Sequence, residues 1–471
     1  MCNGSVTITC IIPAYNSEQW IGECLDSALE QTSGFDEIIV INDGSTDHTE
    51  SICKIYCSNE NKIRLISHEN KRQGACRNEG IKLANSEYIM FLDSDDAFVP
   101  ETVEKLRTLL HDRPDCVYFD AKVFGDMNLK SSGDIYDRLN TDTIISSTGK
   151  QFFDDYYPKG FLASAPLAIY KRDFLQTKGI LFPEKIFYED NLFAFQCAMK
   201  ANEIIYFPQR LYRRRYRKDS TMTSAFDTNR YCDYLECASL IYKYVLSMKR
   251  DCISKAVLDY VISWAYGFVE RFMQLKSEGK IAGLDYKKIE DLILGFDRII
   301  LQYYEGGDDS SAIEKIPEFQ ISSVYISQGL INNSSVKKRY QDLLAWGKEY
   351  YRGFFNKLGI GVTDGEQIAI YGTGKHTKAM LDVYEKLNGR PANNVVFVDS
   401  FQAGNCFRGE EIRNTGNLED VSKIVISVRS KDSYEIYDNL KRQYPMIKII
   451  NLFDLYQYNL FRYDEYLFNE M

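Results

Sequence analysis

Apolar positions up to Phe226 follow two rhythms that take turns. Short unbroken apolar runs, in VTITCIIPAYN, DEIIVINDGSTD, IRLISHE and EYIMFLDSDD, mark strands buried on both faces. Between them apolar residues recur at helical spacing, as at Trp20, Ile21, Cys24, Leu25, Ala28 and Leu29. Ser17 stands where it could cap that helix. HTESICKIYCSN and ACRNEGIKLAN read as further helices. Alternating strands and helices predict an α/β fold, a mostly parallel sheet with helices on both faces. Such sheets bind ligands beyond the carboxyl ends of their strands. PAYN, NDGSTD and DSDD all fall at those ends, so one shared site is expected.

The rhythm changes over residues 227–360. YCDYLECASLIYKYVLSMK, SKAVLDYVISWAYGFVERFMQL, YKKIEDLILGFDRIILQYY and SVKKRYQDLLAWGKEYYRGFFNKL read as amphipathic helices, a helical middle domain. Over residues 361–471 strand and helix alternate again, in EQIAIYGTGKHTKAMLDVYEKL, NNVVFVDS, KIVISV, SYEIYDNLKRQY and IKIINL. This predicts a second, small α/β domain. It ends in a tail, Phe453 to Phe468, dense in aromatic rings. Asp454, Asp464, Glu465 and Glu470 outnumber Arg462 there, and an anionic leaflet repels acids. The tail is therefore expected to pack on protein, on its own domain or within a homodimer.

Three domains suit a chain of 471 residues. A net charge of −10 argues against nucleic acid as a partner. The twelve cysteines show no paired zinc-ribbon spacing, which suits reduced thiols. No basic segment followed by an apolar one opens the chain, and no apolar run is long enough to span a bilayer. The expectation is a cytoplasmic protein, with membrane contact at most peripheral at the inner face.

Three features carry chemistry, and each has two readings. Asp93, Ser94, Asp95 and Asp96 follow a buried strand, where like charges repel. They form either a solvated acidic turn or a site for a hard divalent cation, Mn2+ or Mg2+. Glu189 and Asp190 open an apolar helix; they either complement its dipole or supply a general base. Five cations crowd residues 213–218, as a solvated face or as a grip on phosphate oxygens. Asp43, before Gly44 and Ser45, is also good turn chemistry.

The ordered set IIPAYN, VINDGSTD, RQGACRNEGIKLANSEYIMFLDSDD and FYEDNLF resembles the family 2 inverting glycosyltransferases of the GT-A fold. The resemblance covers residues 1–226. It implies a nucleotide-sugar donor, usually a UDP-sugar, and a divalent metal, with no redox cofactor. It places Pro13, Ala14, Tyr15 and Asn16 around the nucleoside, Tyr15 beside the base. Asp43 matches the acid that reads uracil, an apt pairing of a pure acceptor with a ring N–H. Gly74 and Arg77 match the segment lying against the nucleoside and its phosphates. Asp93 and Asp95 match the Asp-x-Asp pair around Ser94, with Asp95 the direct metal ligand and Asp93 toward the ribose or a metal-bound water. Asp96 is their frequent companion. Asp190 resembles the catalytic base, with Glu189 orienting the acceptor or standing in for it. Arg215, Arg217 and Ser220 fit the stretch that closes over the diphosphate. Relatives often add a histidine there; this chain has none.

The implied reaction moves a sugar to a hydroxyl of a glycan, a lipid-linked glycan or a protein, in surface polysaccharide or glycoconjugate biosynthesis. Two other functions compete. A nucleotidyltransferase making nucleotide-sugars would want a Gly-rich phosphate loop near the N-terminus, which IIPAYNSEQW lacks. A catalytically silent nucleotide-sugar-binding scaffold would have no need of Asp93, Asp95, Asp190 and the arginines together. In the last domain, Gly372 and Gly374 lie between a strand and a helix and Asp399 follows the next strand. This resembles half of a nucleotide-binding Rossmann unit, with Thr377 in place of the third glycine.

Overall fold

The computed structural model describes residues 6–125, 139, 141–157, 163–217, 226–285, 287–289, 291–292, 299, 351–356, 358–361, 366–400, 402–416, 418–428 and 432–452. The chain forms two compact units, residues 1–241 and 242–471.

The first unit opens with β1 (Ile8–Ala14), α1 (Ile21–Leu29), β2 (Glu37–Asn42), α2 (Thr49–Asn59), β3 (Ile63–Ser67), α3 (Gln73–Leu83) and β4 (Tyr88–Phe91). These strands lie parallel in the order β3-β2-β1-β4. Every residue of β1 is buried, because side chains alternate between two covered faces. Ile8, Cys10 and Ile12 pack with Cys24, Leu25 and Ala28 of α1. Ile11 packs on the other face with Ile39, Cys76 and Ile81. That double covering is why the strands read as unbroken apolar runs.

The unit continues through β5 (Ala97–Phe98), α4 (Thr102–Leu109), β6 (Cys116–Gly125), β7 (Ile145–Ser147), α5 (Gly149–Tyr156), β8 (Ala168–Lys171), α6 (Arg172–Thr177), α7 (Glu189–Lys200) and β9 (Ile204–Tyr216). The nine-stranded sheet runs β3-β2-β1-β4-β8-β6-β9-β5, with β7 also on β9. Here β8 is antiparallel to both neighbours, β5 and β7 are antiparallel to β9, and β6 is parallel to β9. The long β9 carries the arginine cluster back along the sheet to the carboxyl end of β4.

One local expectation is corrected. Ser17 does not cap α1 with its side chain, since the helix starts at Ile21. Its carbonyl instead accepts from the Trp20 and Ile21 amides, and its hydroxyl lies 2.6 Å from Ser94 Oγ.

Helix α8 (Thr228–Leu246) begins in the first unit and ends in the second, where α9 (Lys255–Ser277) follows. The second unit also holds β10 (Gln367–Tyr371), α10 (Lys375–Asn388), β11 (Val395–Val398), the pair β12 (Cys406–Phe407) and β13 (Glu410–Glu411), β14 (Val421–Ile426), α11 (Asp432–Gln443) and β15 (Lys448–Asn451). Its main sheet is parallel, in the order β11-β10-β14-β15. Gly372 takes φ +99° between β10 and α10, a conformation suited to glycine. Thr377, at the third-glycine position, is buried and donates its hydroxyl to Gly372 O at 2.5 Å. Asp399 accepts from the Thr373 hydroxyl at 3.1 Å. The glycine turn is thus tied by its own side chains. The aromatic tail lies outside the described residues, as does most of the segment expected to form the last two middle helices. Among the described residues, no helix is long and apolar enough to cross a membrane.

Candidate active site

A cavity of about 640 Å3 opens at the carboxyl ends of β1, β2 and β4. The first turns of α3 and α7 and the end of β9 complete its walls. The sequence brings these elements together because each parallel strand of the first half ends on the same side of the sheet.

Pro13, Ala14 and Tyr15 line the cavity, and Tyr15 is half exposed. Asn16 follows on the same loop. At φ +46° its side-chain oxygen accepts from the Thr46 amide at 2.8 Å, and its own amide donates to Ser45 Oγ at 3.1 Å. It joins the loop after β1 to the loop after β2. Asp43, at the end of β2, is buried but lines the cavity, and its Oδ1 accepts from the Lys71 amide at 2.7 Å.

The three carboxylates after β4 face different partners. Asp93 Oδ1 accepts from Gln73 Nε2 and from an Arg77 terminal nitrogen, each at 2.9 Å. Asp95 Oδ2 accepts from Arg217 Nε at 2.7 Å. Asp96 turns inward, where Tyr212 Oη donates to it at 2.8 Å and the Arg215 amide at 2.7 Å. Burial, helped by the charges of Asp95 and Asp93, pushes the Asp96 carboxyl up to about 8 against the pull of Arg214. All three acids line the cavity, with Asp96 the most deeply buried of them.

Arg77 is the hub of the site. Its side chain is 1% exposed, and it donates to Glu189 at 2.8 Å, Asp190 at 2.6 Å and Asp93 at 2.9 Å. Its guanidinium also stands 5.2 Å from the Phe182 ring centre. Burial alone would lower its pKa, but the three carboxylates outweigh burial and raise it. Both terminal nitrogens are taken up by acids that line the cavity. Gly74 lies three residues before Arg77, in the first turn of α3. A Cβ there would stand 2.3 Å from Pro183 O and 3.4 Å from Glu189 Cγ. Glycine lets α3 approach the segment before α7, which brings Arg77 within reach of Glu189 and Asp190.

Tyr188 precedes α7 at φ +70°, an uncommon backbone state for a tyrosine. Glu189 is buried, and burial followed by the neighbouring Asp190 charge lifts its carboxyl to about 7 against the pull of Arg77. Burial also raises Asp190, while Arg77 opposes the rise. Asp190 Oδ2 accepts from the Ala165 amide at 3.2 Å. Buried acids joined to an arginine differ from the solvated pair that a helix dipole alone would explain.

The arginines of β9 are not a solvated face either. Arg215 donates Nε to Asp95 O at 2.8 Å, pairs with Glu23 and lies over the Trp20 and Phe124 rings at 4.6 and 4.2 Å. It braces the acidic loop from behind and also lines the cavity, as Arg217 does. Ser220 lies outside the described residues. Sequence reasoning passed over Arg214, whose terminal nitrogen is 3.7 Å from Asp93 Oδ2, and Gln73, Arg72 and Arg230 on the cavity wall. The RQG signal before α3 could have marked Arg72 and Gln73.

The donor set at Asp93 and Asp95 suits a hard divalent cation. It consists of carboxylate oxygens, it faces the cavity, and the third acid is withdrawn to Tyr212.

Residues 9–177 match the family described as Glycosyl transferase family 2. The chain carries a glycosyltransferase family 2 domain. The chain is 30% identical over 219 residues to the uncharacterized glycosyltransferase YibD of Escherichia coli, covering 45% of this chain and 62% of the relative. Glycosyltransferase GlyG of Streptococcus pneumoniae is 27% identical over 295 residues, covering 60% of this chain and 83% of the relative. The chain thus spans 62% of the length of the first curated relatives it matches. Among solved structures, S. aureus TarS 1–349 in complex with UDP-GlcNAc aligns with a TM-score of 0.49 and 21% identity, over 77% of this chain and 95% of that one. The mixed sheet with its parallel first half accords with the GT-A architecture expected of the family 2 domain.

Proposed function

We propose that the protein is a metal-dependent inverting glycosyltransferase that moves a sugar from a UDP-sugar to a hydroxyl acceptor. One observation carries the reading. Asp93 of the Asp-x-Asp pair and the acid pair Glu189–Asp190 meet on one buried arginine, at the wall of one cavity in a family 2 domain.

Direct displacement at an anomeric carbon needs a base for the incoming hydroxyl and compensation for the charge on the departing diphosphate. Asp190 is the base in this proposal. Arg77 holds its carboxylate in place and favours the ionised form that can take a proton. Glu189, lifted to about 7, orients the acceptor or shares its proton. Inversion follows from a single attack on the face opposite the leaving group. Asp95 and Asp93 would hold Mn2+ or Mg2+, which when bound supplies positive charge to the diphosphate. Arg217 and Arg214 line the same wall, suited to phosphate oxygens by their permanent charge. Asp43 is the acceptor for a uracil N–H. The acceptor substrate is a glycan, a lipid-linked glycan or a protein, and the setting is surface polysaccharide or glycoconjugate synthesis at the cytoplasmic face.

A panel of nucleotide-sugars, assayed for hydrolysis and transfer with and without chelator, tests the proposal. UDP-sugars should be consumed only with Mn2+ or Mg2+, and Asp43→Ala should erode the preference for UDP over CDP and GDP. Full turnover in excess chelator, or tightest binding of GDP, would overturn it.

A further inference from the structure

At the edge of the cavity, Asp43 shares a group of donors with two residues that the reaction above does not use. Asp43 at the end of β2, His68 just after β3 and Cys76 in α3 each point one ligand atom at a common space, all within 4.8 Å of one another. His68 Nδ1 is 3.5 Å from Asp43 Oδ1. Cys76 is buried, and burial with the nearby Asp43 charge pushes its thiol up. Glu79 stands one helical turn beyond Cys76 on α3, with Oε2 3.2 Å from His68 Nε2.

We propose that Asp43, His68 and Cys76 form a second cation site, selective for a borderline-soft ion such as Zn2+ and separate from Asp93 and Asp95. The donor set is one sulfur, one nitrogen and one oxygen, which favours Zn2+ over Mg2+ or Mn2+. Bonds of about 2.0–2.3 Å place tetrahedral ligand atoms roughly 3.3–3.8 Å apart. The Asp43–His68 pair already has that separation, and the third atom has about 1 Å to close. A metal-ligating histidine commonly gives its other nitrogen to a carboxylate, which fixes the ring. Glu79 occupies that position. The three ligands sit on two strand ends and a helix, so little ordering is needed on binding. Asp43 and Cys76 line the main cavity and His68 the shallow cleft beside it, so an ion has a route in.

Binding exchanges protons for the metal. The Cys76 S–H bond breaks, the proton leaves to solvent, and the sulfur binds Zn2+ as thiolate. His68 Nδ1 gives up its 2.7 Å contact with Glu69 O, and its proton is exchanged through solvent onto Nε2, which faces Glu79, so the ring stays neutral. The fourth position is left to water. One consequence rests on the reading of Asp43 as the uracil acceptor: an ion on its carboxylate excludes the nucleobase. Zn2+ would then inhibit in the nucleotide pocket rather than assist at the diphosphate.

The test uses the full-length protein with Co2+ as a spectroscopic probe and Zn2+ in calorimetry. Co2+ should give a thiolate-to-cobalt charge-transfer band that Zn2+ abolishes. Cys76→Ser should lose that band, and His68→Ala, at a less buried position, should weaken Zn2+ binding at least tenfold. Calorimetry in buffers of different ionisation heat should show about one proton released per ion. With Zn2+ at ten times its own Kd, the apparent Kd of UDP should rise about elevenfold. A band that survives both variants, or Zn2+ binding unchanged in both, would overturn the site. A normal band and normal Zn2+ affinity without competition against UDP would uphold the site and overturn the uracil role of Asp43.

Discussion

Arg77→Met is the sharpest probe of the proposed chemistry, because it keeps the bulk and removes the charge. The wild-type guanidinium is shut away from water and balances Asp93, Glu189 and Asp190. Removing one member of a buried ionic cluster typically costs about 3–5 kcal/mol, because the remaining charges stay buried without compensation. For a unit the size of residues 1–241, each kcal/mol lowers Tm by about 2–4 °C, so the drop should be roughly 6–20 °C.

The loss must also depend on pH in one direction. In the wild type Glu189 is raised from the ordinary carboxylate range to about 7. The folded chain therefore keeps a proton that the unfolded chain releases. The stability this proton contributes is present at acid pH and is lost as pH rises toward 7. Arg77 lowers both Glu189 and Asp190, so its removal moves both carboxyls higher and carries the decline above neutrality. At acid pH the two acids take up protons and the cost shrinks toward the ~1–3 kcal/mol of unmade hydrogen bonds. Scanning calorimetry of both proteins at about pH 8 and about pH 5 reads the difference. The variant should lose at least twice as much Tm at the higher pH. An equal or larger loss at the lower pH, or a loss under about 2 °C at the higher, would refute the charge argument.

Two further outcomes follow from the same geometry. Asp190→Asn should cut transfer by about 10² or more while UDP binding persists, since the base faces the acceptor; if Glu189→Gln abolishes transfer and Asp190→Asn does not, the roles are exchanged. Gly74→Ala should destabilise by about 1–3 kcal/mol, because the new methyl meets the Pro183 carbonyl at 2.3 Å and α3 must move; a neutral effect by thermal unfolding would show that the helix shifts freely.

The fold of the first unit was legible because its signals are local. A strand covered on both faces must be apolar at every position, and helices between parallel strands must carry an apolar stripe. Those requirements placed PAYN, NDGSTD and DSDD at strand ends before any coordinate was known. The later half of the sheet was harder. Nothing local in AIYK shows that β8 runs antiparallel between β4 and β6, because that direction is decided by neighbours far away in the chain. Ser17 illustrates a smaller limit. Its residue type suits a cap, but a backbone turn through its carbonyl starts the helix later.

Arg77 and Asp96 show why the site itself was only partly readable. Both were visible as charged residues in suggestive company, and a charged residue considered alone is expected to meet water or ligand. What decides their roles is where their partners arrive. Asp190 lies 113 residues from Arg77, and Tyr212 lies 116 residues from Asp96. A short motif cannot contain such a partner. Charge balance does constrain the outcome, however. Five acids, Asp93, Asp95, Asp96, Glu189 and Asp190, converge near one cavity, and a buried cluster of that sign is tolerable only if cations or protons accompany it. The chain supplies both. Arg77 enters from α3, Arg214 from β9 and Arg217 from just beyond its end, and burial holds a proton-favouring environment at Asp96 and Glu189. The dense arginine run in β9 therefore has a structural reason to exist before any diphosphate is considered, which is why its side chains can brace the acidic loop and still line the cavity.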